Sequence, residues 1–364
     1  MREALRLAEQ GRYAAWPNPT VGAVLVRDGL CVARGWHHAA GLDHAEVDCL
    51  KDAAARNVPT EGATLVVTLE PCNHYGKTPP CSKAILEAGI ARVVMGAADV
   101  NPRASGGAAA LRAAGVEVVE GVLERECLDL TADFRLGLTG QGPYVLLKMA
   151  VSLDNRIDGR VDDNGAPLQI SSPESRALVH QWRAGIGRCG GAVLVGGNTF
   201  RADNPRLTAR GEGAGPQPLA CVLTARLPEA EENFHLLAER PEQTIFFTTA
   251  DAAASGRAER LRRKGARVLD YGCRDILSNI LAQLRELGCP YVLCEGGGKL
   301  ALSLLQAGLA DEFRLHLASV ILGQAGATPL FPDFFPAGTG NALSLRLCDT
   351  SICGNDAHLV FRPR

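Results

Sequence analysis

A chain of 364 residues with 46% apolar content is longer than one hydrophobic core usually organises, so two domains are expected. A formal net charge of −2 offers no basic face for a phosphate backbone, which argues against a nucleic-acid partner. Twelve cysteines without a secretory apolar segment fit reduced cytosolic thiols, and no apolar run nears the roughly 18 residues that span a bilayer, so a cytoplasmic protein without a membrane partner is expected.

Residues 3–12 carry an amphipathic helical pattern, and residues 21–26 read as a strand joined by the turn Arg27-Asp28-Gly29 to a partner at Cys31-Val32-Ala33. Residues 44–56, with apolar Ala45, Val47, Leu50, Ala53 and Ala54, predict a helix; residues 63–69 predict a short strand ending in Glu70-Pro71-Cys72. Pro80-Cys81 opens a further helix over 82–88. Strands at 92–95 and 116–119 and a helical pattern over 124–136 complete an α/β three-layer unit. The Gly/Pro-containing stretch 138–143 places a boundary between a domain over 1–140 and one over 144–364.

His44-Ala45-Glu46, Pro71-Cys72 and Cys81 supply one imidazole, two thiols and a carboxylate. A catalytic zinc keeps three protein ligands and leaves the fourth position to water, whose pKa it lowers to about 7. His44, Cys72 and Cys81 are the expected ligands, and Glu46 the proton carrier of a hydrolytic deamination. Residues two apart on a helix do not share a face, so His44 and Glu46 converge only if the metal sits off the helix N-terminus. The eight residues 73–80 between the cysteines depart from the C-x-x-C spacing of nucleobase deaminases.

In the second half, Ala192-Val193-Leu194-Val195 runs into Gly196-Gly197-Asn198-Thr199, and a strand over 290–295 runs into Gly296-Gly297-Gly298-Lys299. Such turns admit a phosphate to the backbone beside a helix N-terminus, but they also serve strand-to-helix geometry alone. No G-x-G-x-x-G fingerprint is present.

The block over 68–81, with Pro17-Asn18-Pro19-Thr20-Val21-Gly22 and His44-Ala45-Glu46-Val47 upstream, closely resembles the deaminase half of the RibD family, in which a pyrimidine deaminase is fused to a reductase of riboflavin biosynthesis. The resemblance covers essentially the whole chain. It implies a cytidine-deaminase-like α/β/α domain followed by a dihydrofolate-reductase-like α/β domain, with one catalytic Zn2+ and NADPH as cofactors. It implies deamination of 2,5-diamino-6-(5-phosphoribosylamino)pyrimidin-4(3H)-one, then reduction of 5-amino-6-(5-phosphoribosylamino)uracil to the ribitylamino product. A homo-oligomer, dimer or tetramer, is implied by the same resemblance.

On their own, Asn18 and Asn101 read as turn residues and Lys77 as a solvated loop charge. The resemblance gives Asn18, His37, His74, Lys77, Asp99 and Asn101 to the deaminase substrate. It gives Val151, Gln169, Thr199, Asp203, Thr224, Gly296, Gly297 and Gly298 to NADPH, and Arg183, Leu207, Arg210 and Glu295 to the ribosyl phosphate. Arg183 reads equally as a solvated helix face. The chain departs from the family pattern at Asn155, where glycine is usual, at Asn204 in Ala-Asp-Asn-Pro, and at Gln169, where an aromatic is common. Three other readings stand beside this one: a monofunctional deaminase with a C-terminal nucleotide-binding or assembly module, a nucleic-acid editing deaminase, and a structural zinc protein completed by Cys49 or His74.

Overall fold

A computed structural model describes residues 1–75, 79–140, 142–157, 169–211, 215–323, 327–332 and 342–364. The chain folds as two units, Met1–Gln141 and Gly142–Arg364.

Among the described residues the first unit has five strands: β1 (Gly22–Arg27), β2 (Leu30–Trp36), β3 (Thr64–Leu69), β4 (Arg92–Ala97) and β5 (Glu117–Val119). They lie in the order β2-β1-β3-β4-β5, with β1 antiparallel to both neighbours and β3, β4 and β5 parallel. Asp28 and Gly29 both take positive φ, 51° and 76°, which is the backbone a tight two-residue hairpin turn requires. One sheet face packs Ala23, Leu25, Leu65 and Val67 against Ala45, Cys49 and Ala53 of the helix Ala45–Ala55. The other packs Val24 and Val66 against Ala4 and Leu7 of the helix Arg2–Ala8, completing three layers.

Two local expectations are corrected. The N-terminal helix ends at Ala8 and tightens into a 3₁₀ turn over Glu9–Gly11. The pattern over 124–136 is two helices, Glu124–Leu130 and Ala132–Thr139, because Thr131 leaves helical angles (φ −102°, ψ 14°) while its hydroxyl bonds back to the Cys127 carbonyl at 3.2 Å.

Among the described residues the second unit has nine strands: β6 (Tyr144–Ser152), β7 (Ala192–Gly196), β8 (Leu219–Leu223), β9 (Thr244–Thr248), β10 (Arg267–Asp270), β11 (Tyr291–Gly296), β12 (Glu312–Ala318), β13 (Leu345–Cys353) and β14 (Asp356–Pro363). Their order is β10-β9-β8-β7-β11-β6-β12-β14-β13, parallel from β10 to β12 and antiparallel beyond. Ala192 to Val195 and Tyr291 to Cys294 are fully buried runs, as parallel strands covered on both faces must be. In open parallel sheets the ligand crevice lies beyond the carboxyl ends of the strands, and here those ends deliver Gly196, Thr224 and Glu295.

Both asparagine departures are accommodated. Asn155 sits at φ 62° and Asn204 at φ 41°, left-handed angles that asparagine tolerates. The Asn204 amide also donates to the Asn233 carbonyl at 3.0 Å and its oxygen accepts from His235 N–H at 2.8 Å; an aspartate could not make the first bond.

Gly35 on β2 is where the helix Ala45–Ala55 comes closest to the sheet: a Cβ there would lie 2.3 Å from Cys49 N and 2.6 Å from the Ala45 carbonyl. Neither backbone group can swing away. Gly35→Ala is therefore expected to destabilise the first unit by about 3 kcal/mol, the upper part of the overpacking range, measured as a lower urea midpoint of the first-unit transition; an unchanged midpoint would contradict this packing.

Candidate active sites

In the first unit three elements converge. His44 is the N-cap of the helix Ala45–Ala55, with extended angles (φ −71°, ψ 160°), so its imidazole leaves the helical path while Glu46 stays on the first turn. Cys81 is the first residue of the helix Cys81–Glu87, and Cys72 follows β3 across Pro71. The donor atoms of His44, Cys72 and Cys81 lie within 4.8 Å of one another, with His44 Nδ1 at 3.5 Å from Cys72 Sγ and 3.3 Å from Cys81 Sγ. Tetrahedral zinc at its usual bond lengths holds such donors roughly 3.5–3.8 Å apart, so this set fits the ion. Among the described residues, Cys49 and His74 do not join the group. Cys49 lies in the core, where burial pushes its thiol up to about 12.

The cysteines act as a pair. The hydrogen bond from Cys81, reinforced by His44, brings the Cys72 thiol down to about 4, and the same bond with burial raises Cys81. The Cys81 amide adds a donor to Cys72 Sγ at 3.4 Å. Glu46 is only 3% exposed; burial pushes its carboxyl up to about 7 against the opposing pull of His44.

A cavity of about 330 Å³ opens over these groups and is lined by Asn18, His37, His74, Asp99 and Asn101 together with His44, Glu46 and Cys72. His37 Nδ1 lies 2.8 Å from the Asp43 carbonyl, which can only accept, so its Nε2 accepts from Asn18 Nδ2 at 3.1 Å. His74 Nδ1 is buried without a hydrogen-bond partner. Lys77 lies outside the described residues.

Glu70, which also lines the cavity, is not singled out by sequence reasoning. Its carboxylate accepts from the backbone N–H of Asp99 (3.1 Å), Gly106 (3.0 Å) and Ala108 (3.1 Å), tying the segment that carries Asp99 and Asn101 to the end of β3. A buried carboxylate beside a metal-binding cysteine is ambiguous in sequence; only the fold shows that its partners are amides.

In the second unit a cavity of about 1240 Å³ runs along the ends of β7, β8 and β11. Thr199, Asp203, Thr224, Glu295 and Gly296 to Gly298 line it, as do Lys148, Arg201 and Arg226, to which the resemblance gives no role. The glycine cradles fit a dinucleotide phosphate: Gly297 takes φ 76°, and a Cβ on it would stand 3.0 Å from Thr199 Oγ1. Gly298 is needed for packing as well, since its Cβ would meet the Leu330 carbonyl at 2.1 Å.

Five expected residues do not line this cavity. Val151 is buried in the core cluster together with Met149, and of this strand it is Lys148, Met149 and Ala150 that reach the cavity wall. Gln169 is exposed, just before the helix cap Ser172. Arg183 is not a solvated helix residue: its Nε and Nη2 pair with both Glu295 oxygens at 2.6 Å, and its Nη1 donates to the Thr208 carbonyl at 3.1 Å. Coulombic attraction to Arg183 holds the Glu295 carboxyl below its ordinary range despite burial. Leu207 is buried with φ 50°, and Arg210 is exposed with Nε donating to Thr208 Oγ1 at 3.3 Å. Thr208 thus gathers Arg183 and Arg210, and through Arg183 the Glu295 carboxylate, into one neighbourhood.

Comparison with known proteins agrees with both halves. The family described as "RibD C-terminal domain" matches residues 143–359, and "Cytidine and deoxycytidylate deaminase zinc-binding region" matches residues 1–97. The "Riboflavin biosynthesis protein RibD" of Aquifex aeolicus is 40% identical, covering 89% of this chain and 87% of its own, and that of Escherichia coli is 35% identical, covering 89% and 88%. Two solved structures cover 100% of this chain and 97% of their own: Acinetobacter baumannii RibD, form 1, at 33% identity and TM-score 0.69, and the diaminohydroxyphosphoribosylaminopyrimidine deaminase/5-amino-6-(5-phosphoribosylamino)uracil reductase of Thermotoga maritima, at 32% and 0.73. With a zinc-type deaminase centre in one unit and a glycine-rimmed reductase cavity in the other, the chain belongs to the RibD family of bifunctional deaminase/reductases of riboflavin biosynthesis.

Proposed function

We propose that the first site deaminates 2,5-diamino-6-(5-phosphoribosylamino)pyrimidin-4(3H)-one and that the second reduces the resulting 5-amino-6-(5-phosphoribosylamino)uracil. The observation that carries the first assignment is the meeting of three metal donors, His44 and Cys72 of them lining one small cavity together with the buried Glu46. Zinc, when bound by His44, Cys72 and Cys81, supplies a water of lowered pKa. Glu46, whose burial favours the protonated carboxyl, takes a proton from the attacking water and hands it to the departing ammonia. Asn18, held by His37, and Asp99 with Asn101, held through Glu70, present fixed polar groups to the pyrimidine, and His74 offers an unused ring nitrogen. Lys77 is proposed as the partner of the substrate phosphate.

In the second unit NADPH supplies the hydride, so the protein's task is to bind and orient. Thr199, Asp203, Thr224 and Gly296 to Gly298 are the proposed cofactor contacts, and Glu295 and Arg210 the substrate contacts. Arg183 is a positioning residue, since its fork is taken up by Glu295. We place the enzyme in the cytoplasm and infer a homo-oligomer, which the edge strand β13 supports by exposing Leu347 and Ile352.

The two sites are separable by mutation. His44→Ala or Cys81→Ala is expected to take bound zinc from about one per chain to near none, read by elemental analysis, and to end ammonia release while reduction of supplied deaminated intermediate continues. Glu46→Gln should keep the zinc and lose about 10²–10⁴-fold in ammonia release, the range of general acid–base catalysis; a variant that kept full activity would remove Glu46 from the chemistry. Arg183→Ala strands the Glu295 carboxylate and is expected to cost about 3–5 kcal/mol in the second unit, with NADPH oxidation lost and ammonia release kept; Glu295→Gln in the same background should restore much of that stability. Equal loss of both activities in Arg183→Ala would contradict the assignment.

A further inference from the structure

At the carboxyl end of β8 meet two arginines that have no role in the account above. Beyond that strand the chain turns through Thr224-Ala225-Arg226, and Thr224 fixes the turn, its hydroxyl donating to the Arg226 carbonyl at 2.9 Å and accepting from the Arg226 amide at 3.2 Å. Arg201, on the helix Gly197–Asp203, reaches across to the same turn. Both of its Nη atoms lie 3.3 Å from Thr224 Oγ1, and Nη1 donates to the Arg226 carbonyl at 3.0 Å. Gly197 makes room for this: a Cβ there would stand 2.5 Å from Thr224 Oγ1 and 2.9 Å from Arg201 Nη2.

One arginine from a helix and one from the β8 turn therefore meet at the wall of the large cavity, which both line. They also line an adjoining recess of about 240 Å³ with Leu227, Pro228, Glu232 and Arg257. Among the described residues neither Arg201 nor Arg226 forms an ion pair, whereas nearby Arg257 and Arg260 both pair with Glu229. Burial, then the charge of Arg226, makes the Arg201 cation less favourable than in water, and Glu232 offsets only part of this. Two like charges held together by a purpose-shaped turn without a counter-ion pair are most simply a site for an anion with more than one negative charge.

We propose that Arg201 and Arg226 bind the 2′-phosphate of the reductase's dinucleotide and so select NADPH over NADH. The inference rests on the reading of the second unit as a dinucleotide-dependent reductase. A phosphate monoester carries about −1.5 to −2 charges at neutral pH, and the planar forks of arginine match its oxygens better than any other side chain. NADH presents only a hydroxyl at that position, which satisfies neither cation. The Thr208 neighbourhood is distinct, being built from residues 180–183, 208–210 and Glu295 rather than from the β8 turn.

Calorimetric titration of the full-length protein with NADPH, NADH, 2′,5′-ADP and ribose 5-phosphate tests this, comparing wild type with Arg226→Gln and with the Arg201→Gln, Arg226→Gln double variant. Wild type is expected to prefer NADPH, and the ratio of NADPH to NADH affinity to fall about tenfold or more in Arg226→Gln and further in the double variant. Affinity for 2′,5′-ADP should fall in step, and the steeper salt dependence of NADPH binding should vanish. An unchanged ratio, or equal weakening of both dinucleotides, would overturn the proposal, the second by making the arginines braces of the turn. Selective loss of ribose 5-phosphate binding would assign the pair to the substrate and overturn it too. A wild type that binds NADH but not NADPH would overturn this inference alone, whereas one that binds neither would contradict the reductase reading itself.

Discussion

An α-helix leaves its first amides unpaired and its N-cap residue free of helical angles, and the deaminase centre is built around that discontinuity. Were His44 one residue further into the helix Ala45–Ala55, its ring would point about 200° away from Glu46 and the two could not face one ion. As the N-cap, with ψ at 160°, it turns toward Cys72 while Glu46 remains on the first turn. Cys81 sits one position further along, as the first residue of its own helix after the N-cap Pro80. Everything around these termini serves to hold them still: Gly35 lets one helix seat on the sheet, and Glu70 ties down the segment bearing Asp99.

The second unit solves a different problem with a different device. Its chemistry belongs to the cofactor, so the fold supplies a long crevice rather than a reactive side chain. The parallel strands end in turns with small or hydroxylated residues, Gly196-Gly197, Thr224 and Gly296 to Gly298, and the side chains that reach the crevice from one layer further back are held by ion pairing or hydrogen bonds. The Arg183–Glu295 pair is the clearest case, because a buried carboxylate at the cavity wall needs its counter-charge behind it.

Sequence reasoning reads the first site well because its residues come in short motifs whose spacing fixes local geometry. His44 and Glu46 on one helix start, and Cys72 at a strand end, leave little freedom. The second site is read less completely because its residues come from distant segments. Arg183 has the periodicity of a helix face, and nothing local announces Glu295, 112 positions away, as its partner. The resemblance gives Val151 to the cofactor, yet its side chain is taken up by the core of the second unit. Thr131 splits a helix whose apolar pattern runs on unbroken, because periodicity does not register a hydroxyl that bonds its own backbone. The resemblance gives Arg201 and Arg226 no role; only the meeting of a helix with the β8 turn makes them neighbours.

The claim that one chain performs deamination and then reduction is tested most directly by following ammonia release and NADPH absorbance together on the zinc-loaded wild-type protein, starting from the diaminopyrimidinone ribosyl phosphate. The account predicts one ammonia for each NADPH oxidised, with oxidation lagging behind ammonia until the deaminated intermediate accumulates, and no lag when that intermediate is supplied. Oxidation that begins before any ammonia appears, or ammonia release with no oxidation even on the supplied intermediate, would contradict it.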